Sequence, residues 1–187
     1  MDIEGFQLNT FTGTGFIVGN PGDAESKGIE IETTWLPAYY LTLTGGVTYA
    51  DAKYDDDVEL ASTHPSGSIA GRNLTHAPKW QTGAAAMLDL PLSNDLNLFG
   101  NINWSWRDEH NTDSDLDIEK EVGSSNWWNS QIGIRSQDDT WRAYLWCTNC
   151  LDEQLNTVVL DMPLQGGSYQ TYLSLQRMWG GTLRLNF

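Results

Sequence analysis

The stretch Trp179-Gly-Gly-Thr-Leu-Arg-Leu-Asn-Phe187 at the carboxyl end of the chain decides the fold class. In an extended strand, alternate side chains point to opposite sides. One side of this strand carries Trp179, Gly181, Leu183, Leu185 and Phe187, and the polar residues between them point the other way. The first side suits hydrocarbon and the second suits water. The stretch therefore predicts a strand that lies between lipid and water.

The same alternation recurs along the chain and predicts an all-β, antiparallel fold of about eight strands without a convincing helix. It is clearest from Leu96 to Arg107, where Leu98, Ile102 and Trp104 oppose polar neighbours. The predicted strands are 3–11, 28–35, 40–54, 79–90, 96–107, 127–135, one that begins at 141 and runs toward 160, and 169–187. The faces of the strand from Trp141 stay unassigned.

The connections between these strands alternate in length. Those at 36–39, 91–95 and 137–140 are short, and those at 12–27, 55–78, 108–126 and 161–168 are long. Outer-membrane barrels have short periplasmic turns at one rim and long extracellular loops at the other. A transmembrane β-barrel segment explains this asymmetry. A soluble β-sandwich explains only the alternation.

Composition excludes some classes of function. The chain has 10 Lys and Arg against 25 Asp and Glu, a net charge of −15, which argues against nucleic acid as a partner. Much of the acid lies in two predicted loops, one holding Asp51, Asp55, Asp56, Asp57 and Glu59, the other Asp108, Glu109, Asp113, Asp115, Asp117, Glu119 and Glu121. No apolar run is long enough for a transmembrane helix.

Aromatic residues are placed near the strand ends. The chain has nine Trp and seven Tyr, and such rings concentrate at membrane–water interfaces. We predict two aromatic belts, with these tryptophans as members: Trp35, Trp104, Trp106, Trp127, Trp128 and Trp141.

Residues with reactive side chains do not form a recognisable catalytic pattern. His64, His76 and His110 are scattered over loops or strand starts, and solvated loop histidines are expected. The spacing Asp113-x-Asp115-x-Asp117 begins like a calcium loop but lacks its glycine and final carboxylate, so we expect a solvated acidic loop with at most weak binding of divalent ions. We predict neither an enzyme nor a cofactor.

The two cysteines have the C-x-x-C spacing. In an extended strand, Cys147 and Cys150 would point to opposite faces about 10 Å apart, beyond the reach of a disulfide. The sequence therefore predicts two small apolar filler residues.

Five segments resemble TonB-dependent outer-membrane receptors. They are Asn20-Pro-Gly-Asp-Ala-Glu-Ser-Lys-Gly-Ile-Glu-Ile-Glu32, Leu41-Thr-Leu-Thr-Gly-Gly-Val-Thr-Tyr-Ala-Asp-Ala-Lys-Tyr54, Gly71-Arg-Asn-Leu-Thr-His-Ala-Pro-Lys-Trp80, Trp146-Cys-Thr-Asn-Cys-Leu-Asp-Glu153 and Gly180 to Phe187. They occur in the family's order and span nearly the whole chain. Cys150 departs from the leucine usual in the family.

The resemblance implies a 22-stranded barrel with a plugged lumen, of which residues 1–187 would supply the carboxyl-terminal portion without the plug domain. It implies active uptake of a scarce ligand, such as an iron chelate, vitamin or oligosaccharide, energised through TonB. The implied partners are a small-molecule ligand, outer-membrane lipid, the plug and remaining strands, TonB indirectly and the barrel-assembly machinery. The last would recognise Leu183, Leu185 and Phe187.

The amino-terminal residues lack a secretory signal. We therefore expect that a signal was removed or that the chain is the later part of a longer one. An open sheet in hydrocarbon leaves unpaired backbone groups. The alternative is thus a complete eight-stranded outer-membrane barrel with a structural or adhesion role.

Polar residues on the water side of the predicted strands are candidates for contacts with ligand or plug. They are Glu30, Glu32, Asn101, Asn103, Arg107, Gln131 and Arg135. A purely structural role, hydrating and cross-linking the interior wall, is the alternative for each.

Overall fold

A computed structural model describes residues 1–56, 69–113, 115 and 117–186. Within them the regular secondary structure is β-strand apart from one 3-10 turn, η1, at Ile118–Lys120. The strands are β1 Asp2–Phe11, β2 Phe16–Ala38, β3 Leu41–Tyr54, β4 Trp80–Pro91, β5 Leu96–Arg107, β6 His110–Asn111, β7 Glu121–Val122, β8 Ser125–Ser136, β9 Trp141–Thr148, β10 Asn156–Asp161, β11 Tyr169–Leu173 and β12 Met178–Leu185. Among the helical segments described, none has the length and apolar character needed to cross a membrane.

Eight of these strands form one antiparallel sheet in the order β1-β2-β3-β4-β5-β8-β9-β12. Each strand pairs with the sheet strand that precedes or follows it along the chain. Two small hairpins, β6-β7 and β10-β11, lie outside this sheet, in the connections β5–β8 and β9–β12. The predicted all-β, antiparallel architecture is confirmed.

The register gives the sheet two chemically different faces. Trp35 pairs with Leu43, Leu43 with Ala86, and Ala86 with Ile102, so one row of apolar side chains crosses four strands. We call this side the apolar face. Several of its members are strongly exposed, such as Ile31 by 60% and Leu183 by 68%. Contiguous rows of exposed apolar side chains mark a surface that interacts with another apolar surface or phase.

The opposite side, the polar face, carries Asn101 paired with Gln131 and Asn103 paired with Asn129. The register also assigns the faces of β9. Leu145 lies opposite Gly181 and Ile132 on the apolar face, which places Tyr144 and Trp146 on the polar face.

The sheet is open. Within the part of the chain that the structure describes, β1 pairs only with the Phe16–Glu25 part of β2, and residues 28–38 of β2 pair only with β3. Among the described residues, β12 pairs with β9 and not with β1. The alternative of a closed eight-stranded barrel required that last pairing, so it is not the structure found.

Residues 12–27 are not the long loop that the sequence predicted. The chain turns within 12–15, and β2 begins at Phe16 and continues for 23 residues. The run Asn20-Pro-Gly reads as a turn, but among the residues that the structure describes this part of β2 has only β1 as a neighbour, and proline is tolerated at such an edge. β1 and the start of β2 thus form a hairpin that extends the sheet at its long-loop end.

The two predicted carboxyl-terminal strands are also corrected. β9 ends at Thr148, and β10 and β11 pair with each other as a separate hairpin whose tip contains the predicted loop 161–168. β12 begins only at Met178. Periodicity alone did not show that the β-segments 156–161 and 169–173 leave the sheet.

A small buried core lies at the long-loop end of the sheet. Leu8 of β1, Tyr54 of β3 and Ile69 pack together, with Phe6 and Leu74 against them. Ile69 is fully buried. This core fixes the segment 69–79, which follows the undescribed residues 57–68, against the first hairpin.

Candidate functional site

A cleft opens on the polar face near the long-loop end of the sheet. Its volume is about 530 Å³. Glu30 and Glu32 of β2 line it from one side and Arg107 of β5 from the other, with Gln81 of β4 and Trp127 of β8. The period-two register brings these residues together because all five occupy the same face of successive strands. Three of the predicted lumen residues therefore share one site.

The remaining predicted lumen residues lie elsewhere on the polar face. Asn101, Asn103 and Gln131 are not among the residues that line the cleft. Arg135 lies toward the short-turn end and donates to the Asp89 carboxylate at 2.7 Å. The same Asp89 accepts from the Asn97 amide at 2.9 Å. This network cross-links three neighbouring strands, which supports the structural interpretation of Arg135.

Trp127 was predicted as a belt residue, and the structure corrects this. It pairs with Ser105 and lines the cleft, whereas Trp128 pairs with Trp104. Adjacent residues in a strand point to opposite faces, so the two tryptophans cannot share an environment. Trp127 offers its ring to the cleft.

On the apolar face, Trp104 and Trp128 form an aromatic pair with ring centroids 6.1 Å apart. Both indole N–H groups donate to the Asn126 side-chain oxygen, at 2.7 Å and 3.2 Å. A ring with an apolar body and a satisfied polar tip suits a membrane interface. Trp35, Trp106 and Trp141 occupy the same face through their register with Leu43, Thr82 and Leu185.

The acidic loop between β5 and β8 is built around a lysine. Lys120, at the end of η1, is fully buried, and its amine bonds to Asp113 at 2.9 Å and to Asp115 and Asp161 at shorter range. Asp161 belongs to β10, so this group, the lysine clasp, ties the acidic loop to the β10-β11 hairpin. The Thr112 hydroxyl strengthens the junction by accepting from the Val159 N–H at 3.1 Å.

The prediction of a solvated acidic loop is therefore wrong for its central residues. Carboxylate oxygens of Asp113, Asp115 and Asp161 come within 4.8 Å of one another, the arrangement of a cation site. The ammonium group of Lys120 takes the place of that cation. Burial alone would lower the pKa of Lys120, but the three carboxylates outweigh it and hold the pKa above its ordinary value.

The cysteine prediction is wrong as well. Cys147 and Cys150 form a disulfide with their Cα atoms 5.5 Å apart. β9 ends at Thr148, and Asn149 adopts a positive φ of 48°, so the chain turns where the sequence suggested a continuing strand. A turn brings residues three apart within bridging distance. The Asn149 side chain fixes the turn by donating to the carbonyls of Glu153 and Leu175.

Two of the scattered histidines meet in space. The rings of His76, in segment 69–79, and His110, in β6, have centroids 6.0 Å apart. Burial lowers the pKa of His110, and the charges of Arg107 and His76 lower it further, while the hydrogen bond to the Asp108 carbonyl raises it by less.

His64, Asp57, Glu59 and Phe187 lie outside the described residues. No spacing pattern links positions 76 and 110, so sequence reasoning had no signal for this pair.

Two solved protein structures have a fold similar to that of this chain. The chain resembles the ferric yersiniabactin uptake receptor FyuA of Yersinia pestis, with a TM-score of 0.75 and 17% identity over 91% of this chain. It also resembles BauA, the ferric preacinetobactin receptor of Acinetobacter baumannii, with a TM-score of 0.56 and 17% identity over 90% of this chain. The matched part is only 25% and 22% of those two proteins, so this chain spans about a quarter of their length.

Among curated proteins, none is significantly similar to the chain in sequence. The family described as TonB dependent receptor-like, beta-barrel, however, matches residues 1–150. That match covers seven of the eight strands of the two-faced sheet, all except β12, and the cleft between β2 and β8. The chain belongs to the TonB-dependent receptor β-barrel family.

Proposed function

We propose that residues 1–187 form the carboxyl-terminal part of the barrel wall of an outer-membrane transporter that imports a scarce ligand with energy supplied through TonB. The observation that carries this proposal is the family match over residues 1–150, on a sheet with one apolar and one polar face. Proteins of this family are transport receptors and not enzymes. The plug domain that couples such a wall to TonB would lie outside this chain.

The open edges of the sheet support the presence of further strands. In hydrocarbon, each unpaired backbone group costs several kcal/mol. In the described ranges of the chain, residues 28–38 of β2 have one neighbour, β3, and β12 has one neighbour, β9. The remaining barrel strands would pair with both edges, the plug would lie against the polar face, and lipid would cover the apolar face.

A ferric chelate is the ligand class that we favour, with a vitamin or an oligosaccharide as alternatives. Both structures of similar fold are named as receptors for ferric chelates. The cleft combines the Arg107 guanidinium, the Glu30 and Glu32 carboxylates and the flat ring of Trp127. Such a lining can contact a ligand that is polar, partly charged and aromatic in part.

The experiment that tests the transport function is uptake of radiolabelled iron by cells that carry or lack the gene. We expect deletion to abolish uptake of one or more ferric chelates, complementation to restore it and loss of TonB to abolish it again. Uptake of a labelled vitamin or oligosaccharide in its place would identify the alternative ligand class. If deletion left the uptake of ferric chelates, vitamins and oligosaccharides unchanged, the proposal would be contradicted.

A pair of adjacent tryptophans tests the cleft. Replacing Trp127→Ala should weaken ligand binding about tenfold by removing an aromatic contact. Trp128→Ala, on the apolar face, is the matched control and should leave ligand affinity unchanged. Equal affinities for Trp127→Ala and the unaltered receptor would exclude the cleft as a ligand contact.

We also propose that Leu183, Leu185 and Phe187 form the signal that the barrel-assembly machinery recognises. Leu183 and Leu185 lie on the exposed apolar face of β12. Phe187→Ala, or deletion of the last strand, should reduce insertion of the receptor into the outer membrane. Unchanged insertion of both variants would rule out this role.

A further inference from the structure

Two imidazole rings from separate long connections meet near the cleft end of the sheet. His76 belongs to the segment that leads into β4, and His110 belongs to β6 in the β5–β8 connection. Their ring centroids lie 6.0 Å apart with the planes inclined by 51°. His110 is buried while His76 is exposed. The pair is therefore held on one side and open to solvent on the other.

Backbone contacts set the spacing of the two rings. The His76 N–H donates to the Asn111 carbonyl at 2.9 Å, which joins the two connections beside the rings. His110 pairs with Val122, which is buried. Ile69 and Leu74 anchor the other segment in the small core. The approach of the rings thus follows from packing on both sides.

A backbone carbonyl orients the ring of His110. Its Nδ1 lies 3.3 Å from the Asp108 carbonyl oxygen, a contact in which Nδ1 carries the proton and donates. The lone pair is then on Nε2. Metal-ligating histidines are commonly oriented by such a bond from the other ring nitrogen to a backbone carbonyl.

The separation also fits a shared ion. With metal–nitrogen bonds of about 2.1 Å and a ring nitrogen roughly 1.2 Å from its centroid, two imidazoles on one ion have centroids from roughly 4.7 Å apart at a right angle, through roughly 5.4 Å at a tetrahedral angle, to roughly 6.6 Å when opposed. The observed 6.0 Å lies between these limits.

We propose that His76 and His110 form a two-imidazole site for a divalent transition-metal ion such as Zn²⁺, Cu²⁺ or Ni²⁺. Imidazole suits these ions, while Ca²⁺ and Mg²⁺ prefer oxygen. His76 is exposed, so water can supply further ligands. The net charge of −15 attracts cations to the surface. This site is separate from the lysine clasp, where an ammonium group occupies the position between the carboxylates.

Binding of an ion here would link the segment before β4 to the β5–β8 connection. Each segment adjoins a strand that lines the cleft, since β4 supplies Gln81 and β5 supplies Arg107. An ion held by both histidines would therefore stiffen one side of the entrance. The site does not depend on the ligand that the receptor transports.

Electron paramagnetic resonance with Cu²⁺ alone as the probe tests the site. The receptor that contains this chain is purified in detergent and mixed with an equimolar amount of Cu²⁺. We expect nitrogen hyperfine splitting from two imidazoles, reduced by one nitrogen in His76→Asn and in His110→Asn. The apparent affinity for Zn²⁺, measured by competition, should fall at least roughly tenfold in each variant.

Asn73→Ala, an exposed change in the same segment, is the matched control and should leave the spectrum as it is. Since His76 is exposed, His76→Asn should fold normally even if His110→Asn does not, and it decides the question alone. A spectrum with oxygen ligands only, or one that His76→Asn leaves unchanged, would overturn the proposal.

Discussion

Replacing Lys120→Met removes the cation from the lysine clasp and keeps the length of the side chain. Three carboxylates, those of Asp113, Asp115 and Asp161, would then face one another without the ammonium group between them. Removing one member of a buried ion pair typically costs about 3–5 kcal/mol. Asp161 keeps 30% of its side-chain exposure and can turn toward water. We therefore expect the lower end of that range, about 3 kcal/mol.

Hydrogen exchange reports this loss at two amides. The Thr112 N–H donates to the Lys120 carbonyl at 3.0 Å, and the Val159 N–H donates to the Thr112 hydroxyl at 3.1 Å. A local stability lower by about 3 kcal/mol speeds exchange through local opening by roughly 100-fold. Mass spectrometry of peptides covering 110–122 and 156–161 measures the effect in the receptor.

The matched control is Lys27→Met. Lys27 pairs with Glu25 on the surface, where solvent screens the interaction, and its loss should not change exchange in those peptides. A change within about fivefold in Lys120→Met, the size expected of an exposed ion pair, would refute the account of a buried clasp.

The pH dependence has a definite sign. A raised folded-state pKa means that the contribution of Lys120 is fully present below the ordinary value of 10.5 and is lost only as pH rises through the folded value. The amide exchange rate, after correction for the intrinsic exchange rate, reports how often the clasp opens. Because Lys120 keeps its charge, this corrected rate should stay constant from about pH 6 to 9. A rise in opening over that interval that Lys120→Met abolishes would contradict the raised pKa.

Three further changes are informative. Gly133→Ala would drive a methyl group into a backbone carbonyl of β9, and the resulting overpacking should cost about 1–3 kcal/mol. This should lower the temperature at which the folded band is lost in electrophoresis. Gly15→Ala meets no neighbour and should leave that temperature unchanged. Ile69→Ala empties the small core, costs about 2–5 kcal/mol locally and should expose segment 69–79 to protease. Unreduced receptor should show no thiol labelling at Cys147 or Cys150, and Cys147→Ser should release one reactive thiol; labelling of both before reduction would disprove the disulfide.

The sheet was predictable because each strand between two neighbours contributes one row of side chains to the apolar face and one to the polar face. β5 shows this directly, with its predicted bounds reproduced as Leu96–Arg107. The period of two also places Glu30, Glu32 and Arg107 on one face. Their convergence in a single cleft depends on the register of four strands, which no single segment encodes.

Most of the sequence-based predictions that failed concern residues at which the chain leaves the eight-stranded sheet or lies outside it. Asn149 carries the positive φ that turns the chain between the two cysteines, and a strand pattern cannot reveal it. Lys120 and Asp161 are 41 residues apart, so their ion pair exists only through the packing of a hairpin on a loop. The approach of His76 to His110 is a tertiary contact of the same kind.

The most direct test of a membrane-spanning wall compares two adjacent residues of β5. Ile102, on the apolar face, and Asn103, on the polar face, are both exposed in the sheet. Each is replaced by cysteine in the receptor on intact cells and treated with a small water-soluble thiol reagent. The account predicts that Asn103→Cys reacts and that Ile102→Cys, covered by lipid, does not. Reaction of Ile102→Cys as fast as Asn103→Cys would show that water reaches both faces and would contradict a transmembrane wall.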